Sequence, residues 1–171
     1  MHKTYIFDID NTLCDTWPTL NFTKKNYFFV RFLQEARRVS LIPPFENMMT
    51  GVSKRIKREN TDVYFLSARH RSLWPFTYIY LVRHIGFFNP SKLILVPSAN
   101  DKIKKINIFL TLLIDKLIVV DDLSYNTENG QTLYYTDVIK YLTTNNRVKY
   151  IGKSKIDLIN SKKSRNIVNT K

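Results

Sequence analysis

Five short apolar runs, separated by stretches with helical spacing, constrain the fold of this chain more than any other feature. Thr4 to Ile9, Val63 to Ser67, Lys92 to Val96, Leu117 to Asp121 and Leu133 to Tyr135 have the length of strands and are rich in β-branched or aromatic residues. Between them, Asn21 to Val39, Phe45 to Glu59, Leu73 to Ile85, Lys102 to Leu113 and Asp137 to Leu142 place apolar residues at helical intervals. Strands that alternate with helices predict an α/β domain with a mainly parallel sheet covered on both faces. The breakers Pro43-Pro44, Gly86, Asn89-Pro90, Pro97 and Asn129-Gly130 fall between these elements.

In open α/β sheets ligands bind beyond the carboxyl ends of the strands. Polar residues collect at those ends here. Asp8 and Asp10 close the first run, two residues apart and therefore on one side of the chain, and a polar turn follows. Ser67 closes the second run, with Ala68 and Arg69 after it, and Asp121-Asp122 close the fourth. Lys102 opens the helical segment between them. Asp-rich turns after strands often only cap a helix, but an ordered set of two acid pairs, a serine and a lysine is a chemical inventory.

That inventory suits phosphoryl transfer, which needs a nucleophile, a proton donor for the leaving oxygen and positive charge against the phosphate. Asp8 is the expected nucleophile and Asp10 the expected acid/base, its acidity tuned by a neighbouring cation. Hard oxygen ligands favour Mg²⁺, and no Cys/His set suggests zinc. Asp121 and Asp122 supply further acidic ligands, and Ser67 and Lys102 can hold phosphate oxygens.

With these residues the chain resembles the haloacid dehalogenase-like phosphohydrolases, over roughly Met1 to Leu142. Asp8-Ile9-Asp10-Asn11-Thr12 looks like the first motif of that family, Ser67 the second, Lys102 the third and Asp121-Asp122 the fourth. Within the family, Phe65-Leu66-Ser67-Ala68-Arg69 is similar to the serine-small-arginine motif of polynucleotide kinase/phosphatase phosphatase domains. The resemblance implies a Rossmann-like fold with a minimal cap or none. It implies phosphate or substrate contacts from Thr12, Ser67, Ala68, Arg69 and Lys102, and Mg²⁺ held by Asp8, the Asp10 carbonyl and Asp121 or Asp122, with Asp122 favoured. Asn11 stands where the family commonly has Gly, and Leu123-Ser124-Tyr125 replaces an arginine expected after the last acids. No Gly-rich loop of the kinase type is present.

The whole chain sets outer bounds. Its 171 residues suit one domain, taken as residues 1–150, followed by a basic tail over 151–171 that is expected to be flexible from about Ser161. The net charge of +13 calls for an anionic partner or a basic tail, and Arg147, Lys149, Lys153, Lys155, Lys162, Lys163, Arg165 and Lys171 supply much of it. Lys54, Arg55, Lys57 and Arg58 form a second cluster that a nucleic-acid backbone would suit. A lone Cys14, no apparent leader and no long apolar span fit an intracellular compartment, cytoplasmic in expectation, without a membrane. Trp74, Phe76, Tyr78, Tyr80 and Tyr27-Phe28-Phe29 are expected to be core rather than base-stacking platforms.

The expected substrate is a phosphorylated nucleotide or nucleic-acid end, a 3′-phosphate of DNA or RNA being favoured. A 5′-nucleotidase or small-metabolite phosphatase is the alternative, and a nucleic-acid-binding protein with a vestigial site the second.

Overall fold

The computed structural model describes residues 2–19, 28–112, 116–126 and 130–161. Five strands, β1 (Lys3–Phe7), β2 (Thr61–Ser67), β3 (Leu93–Leu95), β4 (Leu117–Val120) and β7 (Val148–Ile151), form one sheet in the order β3-β2-β1-β4-β7. Every pairing in it is parallel. The chain first winds from β1 out to β3, then returns to β4 on the other side of β1. The direction of winding therefore reverses beside β1, which opens a crevice at the carboxyl ends of β1 and β4.

Successive strand residues enter different cores, as the two-residue period of a strand requires. Phe7, Val63, Phe65 and Val120 pack with α1 (Phe28–Leu41), α2 (Glu46–Ile56), α3 (Trp74–Ile85) and α6 (Lys153–Ser161) through Val39, Met49, Val52, Leu81 and Ile156. Ile6, Leu66, Leu117 and Val119 pack on the other side with α4 (Ala99–Leu112) and α5 (Thr136–Thr144) through Ile106, Leu110, Val138 and Leu142. The expected covering on both faces is present. Pro75 in the first turn of α3 and Gly86 at φ 91° after its end bound that helix where the sequence places them.

Three expectations change. The run at Leu133 to Tyr135 is not a sheet strand. β6 (Thr132–Tyr134) pairs antiparallel with β5 (Ser124–Asn126) in a separate two-stranded ribbon. A parallel neighbour needs a crossover of a dozen or more residues, and the short link after β4 allows only a hairpin. The fifth sheet strand is instead β7, at an edge, where the charge of Lys149 between Val148 and Tyr150 disguised the alternation. The domain therefore does not stop at residue 150: Ile151 completes β7, and α6 follows with Ile156 fully buried. Asn47 of α2 donates to the Ile159 carbonyl at 3.1 Å, which ties α6 to the body. Residues 162–171, where the rest of the tail was expected, lie outside the described residues, as do the start of the first predicted helix and Tyr27.

The intervals before β2 and before α4 contain helices of the layers and no inserted sheet among the described residues. No described helix is long and apolar enough to cross a membrane. Of the aromatic run, Tyr80 is buried and Trp74, Phe76 and Tyr78 pack against the core, as expected.

Candidate active site

Two turns build the site. Asp8 N–H donates to the Val120 carbonyl at 2.9 Å and Asp121 N–H to the Ile151 carbonyl at 3.1 Å, so both acids stand on the last rungs of the sheet ladder. The Ile9 carbonyl then accepts from Leu13 N–H at 2.9 Å and Cys14 N–H at 3.2 Å, closing a tight turn that Ile9 and Leu13, both 0% exposed, anchor from below. Asn11 takes φ 55° in that turn. Among residues with a side chain, Asn adopts the left-handed region comparatively easily, which is how it stands in a glycine's place. Its side chain also accepts from Thr16 Oγ1 at 2.6 Å and donates to Ser124 Oγ at 3.4 Å, linking the two turns. After β4, Leu123 at φ 48° reverses the chain, and its N–H donates to Asp121 Oδ1 at 2.9 Å.

Carboxylate oxygens of Asp8, Asp121 and Asp122 come within 4.8 Å of one another. Lys102 lies among them, with Nζ 2.8 Å from Asp8 Oδ1 and 2.7 Å from Asp121 Oδ2. It sits in the first turn of α4, which begins three residues earlier than the sequence suggested because Ser98 Oγ accepts from Asp101 N–H and caps the helix. One ammonium cannot balance three buried acids. Burial and the charge of Asp121 push Asp8 up to about 7 against the pull of Lys102. Burial and Asp8 push Asp122 up to about 6, and burial raises Asp121. Burial opposes the charge on Lys102, yet Asp121 and Asp8 raise its pKa.

Asp10 has the opposite fate. Burial disfavours its ionisation, but Arg69 holds the carboxyl below the usual range. Arg69 Nε donates to Asp10 Oδ2 at 2.8 Å and Nη2 to Oδ1 at 2.7 Å, a bidentate pair. Ser67 Oγ also donates to Asp10 Oδ2, at 3.1 Å. Arg69 is 5% exposed and its Nη1 donates to Thr77 Oγ1, so this guanidinium is committed to Asp10 and not free for a substrate. The sequence suggested a substrate contact for Arg69; the structure instead pairs it with Asp10.

A cleft of about 540 Å³ opens over these residues. Of the residues the sequence singled out, Asp8, Asp10, Ser67, Ala68, Arg69, Lys102 and Asp121 line it. Thr12 does not line it. It is fully buried, with its Oγ1 accepting from Asp122 N–H at 3.0 Å and donating to Asp122 Oδ1 at 3.2 Å, so it braces one acid turn with the other. Asp122, whose Oδ2 accepts from Ser124 Oγ, is buried and does not line the cleft. The sequence reading missed the outer wall. Phe32, Glu35 and Arg38 of α1, Tyr125 of β5 and Tyr135 just after β6 also line the cleft. The spacing of Phe32, Glu35 and Arg38, three residues apart and thus on one helix face, was the available signal.

The acid cluster fits a divalent cation: its donors are all carboxylate oxygens, they crowd one another, and Lys102 alone leaves them under-neutralised. The Asp10 carboxylate stands outside the cluster, on Arg69.

No family model matches the chain, and no curated protein sequence does. Among solved structures it is similar to the class C acid phosphatase from Bacillus anthracis, at 16% identity and a TM-score of 0.45. The match covers 71% of this chain and 52% of that one, so the chain spans about half the length of that phosphatase. Two strand-end turns bring a crowded acid cluster and an arginine-paired aspartate to one opening.

Proposed function

We propose that this chain is a Mg²⁺-dependent phosphomonoester hydrolase of the haloacid dehalogenase-like type, acting on nucleotides or nucleic-acid ends. The observation that carries the reading is the cluster of Asp8, Asp121 and Asp122 around Lys102 at the crevice of the sheet, with Asp10 held separately by Arg69. Asp8, Asp121 and Asp122 would hold the cation, whose charge would counter that of the phosphate. An Asp8 oxygen attacks phosphorus, the bond from phosphorus to the leaving oxygen breaks, and Asp10 gives that oxygen a proton. A water then attacks the phosphorus of the aspartyl phosphate, Asp10 takes its proton, and the bond to Asp8 breaks to release phosphate.

Arg69 favours the carboxylate form of Asp10, which suits the second, base half directly. For the first half Asp10 must bind a proton, and an anionic phosphate arriving beside it raises its pKa in the required direction. Lys102 and Ser67 line the cleft and would meet the phosphate oxygens, Lys102 by sharing its ammonium with the substrate.

A nucleic-acid end suits the net charge of +13 and a cleft with no inserted cap among the described residues. The cluster Lys54, Arg55, Lys57 and Arg58 leads into the amino end of β2, whereas the cleft is at the carboxyl ends, a strand's length away. Arg55 is also engaged, donating to the Gly51 carbonyl at 2.8 Å and lying over the Tyr5 ring. Only a long polynucleotide would reach both regions. The cleft of about 540 Å³ also has room for a mononucleotide, which keeps a 5′-nucleotidase as the second reading.

The test is phosphate release with Mg²⁺ from 3′- and 5′-phosphorylated DNA and RNA, mononucleotides and sugar phosphates. Release from 3′-phosphorylated ends that is lost in Asp8→Asn is expected. Release from none of these, or release that survives Asp8→Asn, overturns the proposal.

A further inference from the structure

Among the described residues lining the cleft, three carry a fixed positive charge: Lys102, Arg69 and Arg38. Two are already committed, Lys102 to Asp8 and Asp121 and Arg69 to Asp10. Arg38 is different. Its Nε donates to Glu35 Oε2 at 2.9 Å, one turn back on α1, while its Nη1 is buried without a hydrogen-bond partner. A buried donor left unpaired is destabilising, because it has lost its water without gaining a partner. The side chain retains 16% exposure and borders the cleft, so rotation of the guanidinium toward an anion there would remove that cost.

The surroundings indicate which anion. Arg38 lines the same cleft as Asp10, which in the proposed reaction protonates the leaving oxygen, so a leaving group in that cleft is open to Arg38. α1 also supplies Phe32 to the wall, and the ribbon supplies Tyr125 and Tyr135, whose ring centroids are 4.8 Å apart. Aromatic surface with one uncommitted arginine edge matches a nucleoside joined to a phosphodiester. We propose that Arg38 is a specificity-determining residue that binds a second, non-reacting phosphate in the leaving group, the internucleotide phosphodiester next to a phosphorylated 3′ end. This assignment rests on the phosphatase reading and narrows its substrate to more than one nucleotide.

The experiment compares a 3′-phosphorylated dinucleotide, which has that phosphodiester, with a nucleoside 3′-monophosphate, which lacks it. Arg38→Met is expected to lower kcat/KM on the dinucleotide by about 10- to 100-fold, chiefly through KM, the size of one charge-assisted hydrogen bond. The loss on the monophosphate is expected to be several-fold smaller, and Arg38→Lys should recover part of the dinucleotide activity. Equal losses on the two substrates, or a loss confined to kcat, overturn the assignment and make Arg38 a positioning residue for Asp10. Dinucleotide binding to the Asp8→Asn protein gives a readout independent of turnover. There, adding Arg38→Met should weaken binding by about tenfold or more, and unchanged affinity overturns the proposal. A wild-type protein that binds the dinucleotide but releases phosphate from neither substrate refutes the phosphatase reading alone. If Arg38→Met does not fold, as judged by thermal melting, Arg38→Lys carries the same comparison.

Discussion

Asp8 and Asp10 are two residues apart on one turn, yet their surroundings divide them. Asp8 faces two other acids across β4 and shares one lysine with Asp121, so its pKa rises to about 7. Asp10 faces the other way, onto β2, where Arg69 grips both of its oxygens and holds its pKa down. One side of the crevice is over-supplied with negative charge and the other is balanced. A side with excess negative charge can take a cation, and a balanced side can hold one carboxylate in fixed orientation. The division follows from strand order, because β1 lies between β2 and β4.

The largest contrast should appear when one acid of the crowded side is removed. Asp8→Asn is expected to reduce phosphate release by about 10⁴-fold or more, since it removes the proposed nucleophile. The same substitution should leave the melting temperature unchanged or higher, because it relieves repulsion among buried acids. A marked fall in melting temperature would mean that the cluster is not under-neutralised as its geometry indicates.

Removing the cation of the balanced side should act in the opposite sense on stability. Arg69→Met leaves the partly exposed Asp10 carboxylate without its cation and is expected to cost about 1–3 kcal/mol in urea unfolding. Arg69→Lys should recover only part of this, as one ammonium cannot reproduce two parallel hydrogen bonds. A loss under about 1 kcal/mol would show that Asp10 is solvated rather than held.

Metal addition tests the crowded side without mutation. At ten times its dissociation constant, Mg²⁺ should stabilise the wild-type protein by about 1.4 kcal/mol, seen as a rise in melting temperature. Asp8→Asn and Asp122→Asn should each diminish that rise, and Arg69→Lys should leave it in place. Equal responses in all four proteins would place the cation elsewhere.

These two sides were unequally legible in the sequence. Strand runs, helix periods and the acids at strand ends follow local rules of spacing, so β1 to β4, α1 to α5 and the gathering of Asp8, Asp10, Ser67, Lys102 and Asp121 at one end of the sheet could be read directly. Which side chain each one pairs with depends on strand order, and spacing does not encode it. Arg69 was therefore read as a substrate contact when β1–β2 adjacency gives it to Asp10. Thr12 was misplaced for the same reason, since its partner Asp122 is 110 residues away. β7 and α6 were hidden by lysines, whose charge masks short apolar patterns at the rim of a sheet.

The smallest effect concerns the turn that allows the two aspartates to diverge. Asn11 occupies φ 55° and also bonds Thr16 and Ser124, so either its backbone conformation or its side chain could be what the turn requires. Replacement by Ala keeps the left-handed penalty of a Cβ, about 1–2 kcal/mol for an ordinary residue, and removes both side-chain bonds. Replacement by Gly removes the same bonds but also the penalty. If backbone conformation dominates, Asn11→Gly should be more stable than Asn11→Ala by about 1 kcal/mol in thermal or urea unfolding. If Gly and Ala are equally destabilising, the hydrogen bonds to Thr16 and Ser124 set the turn instead. The separation of Asp8 from Asp10 would then depend on the contact between the two strand-end turns rather than on the first turn alone.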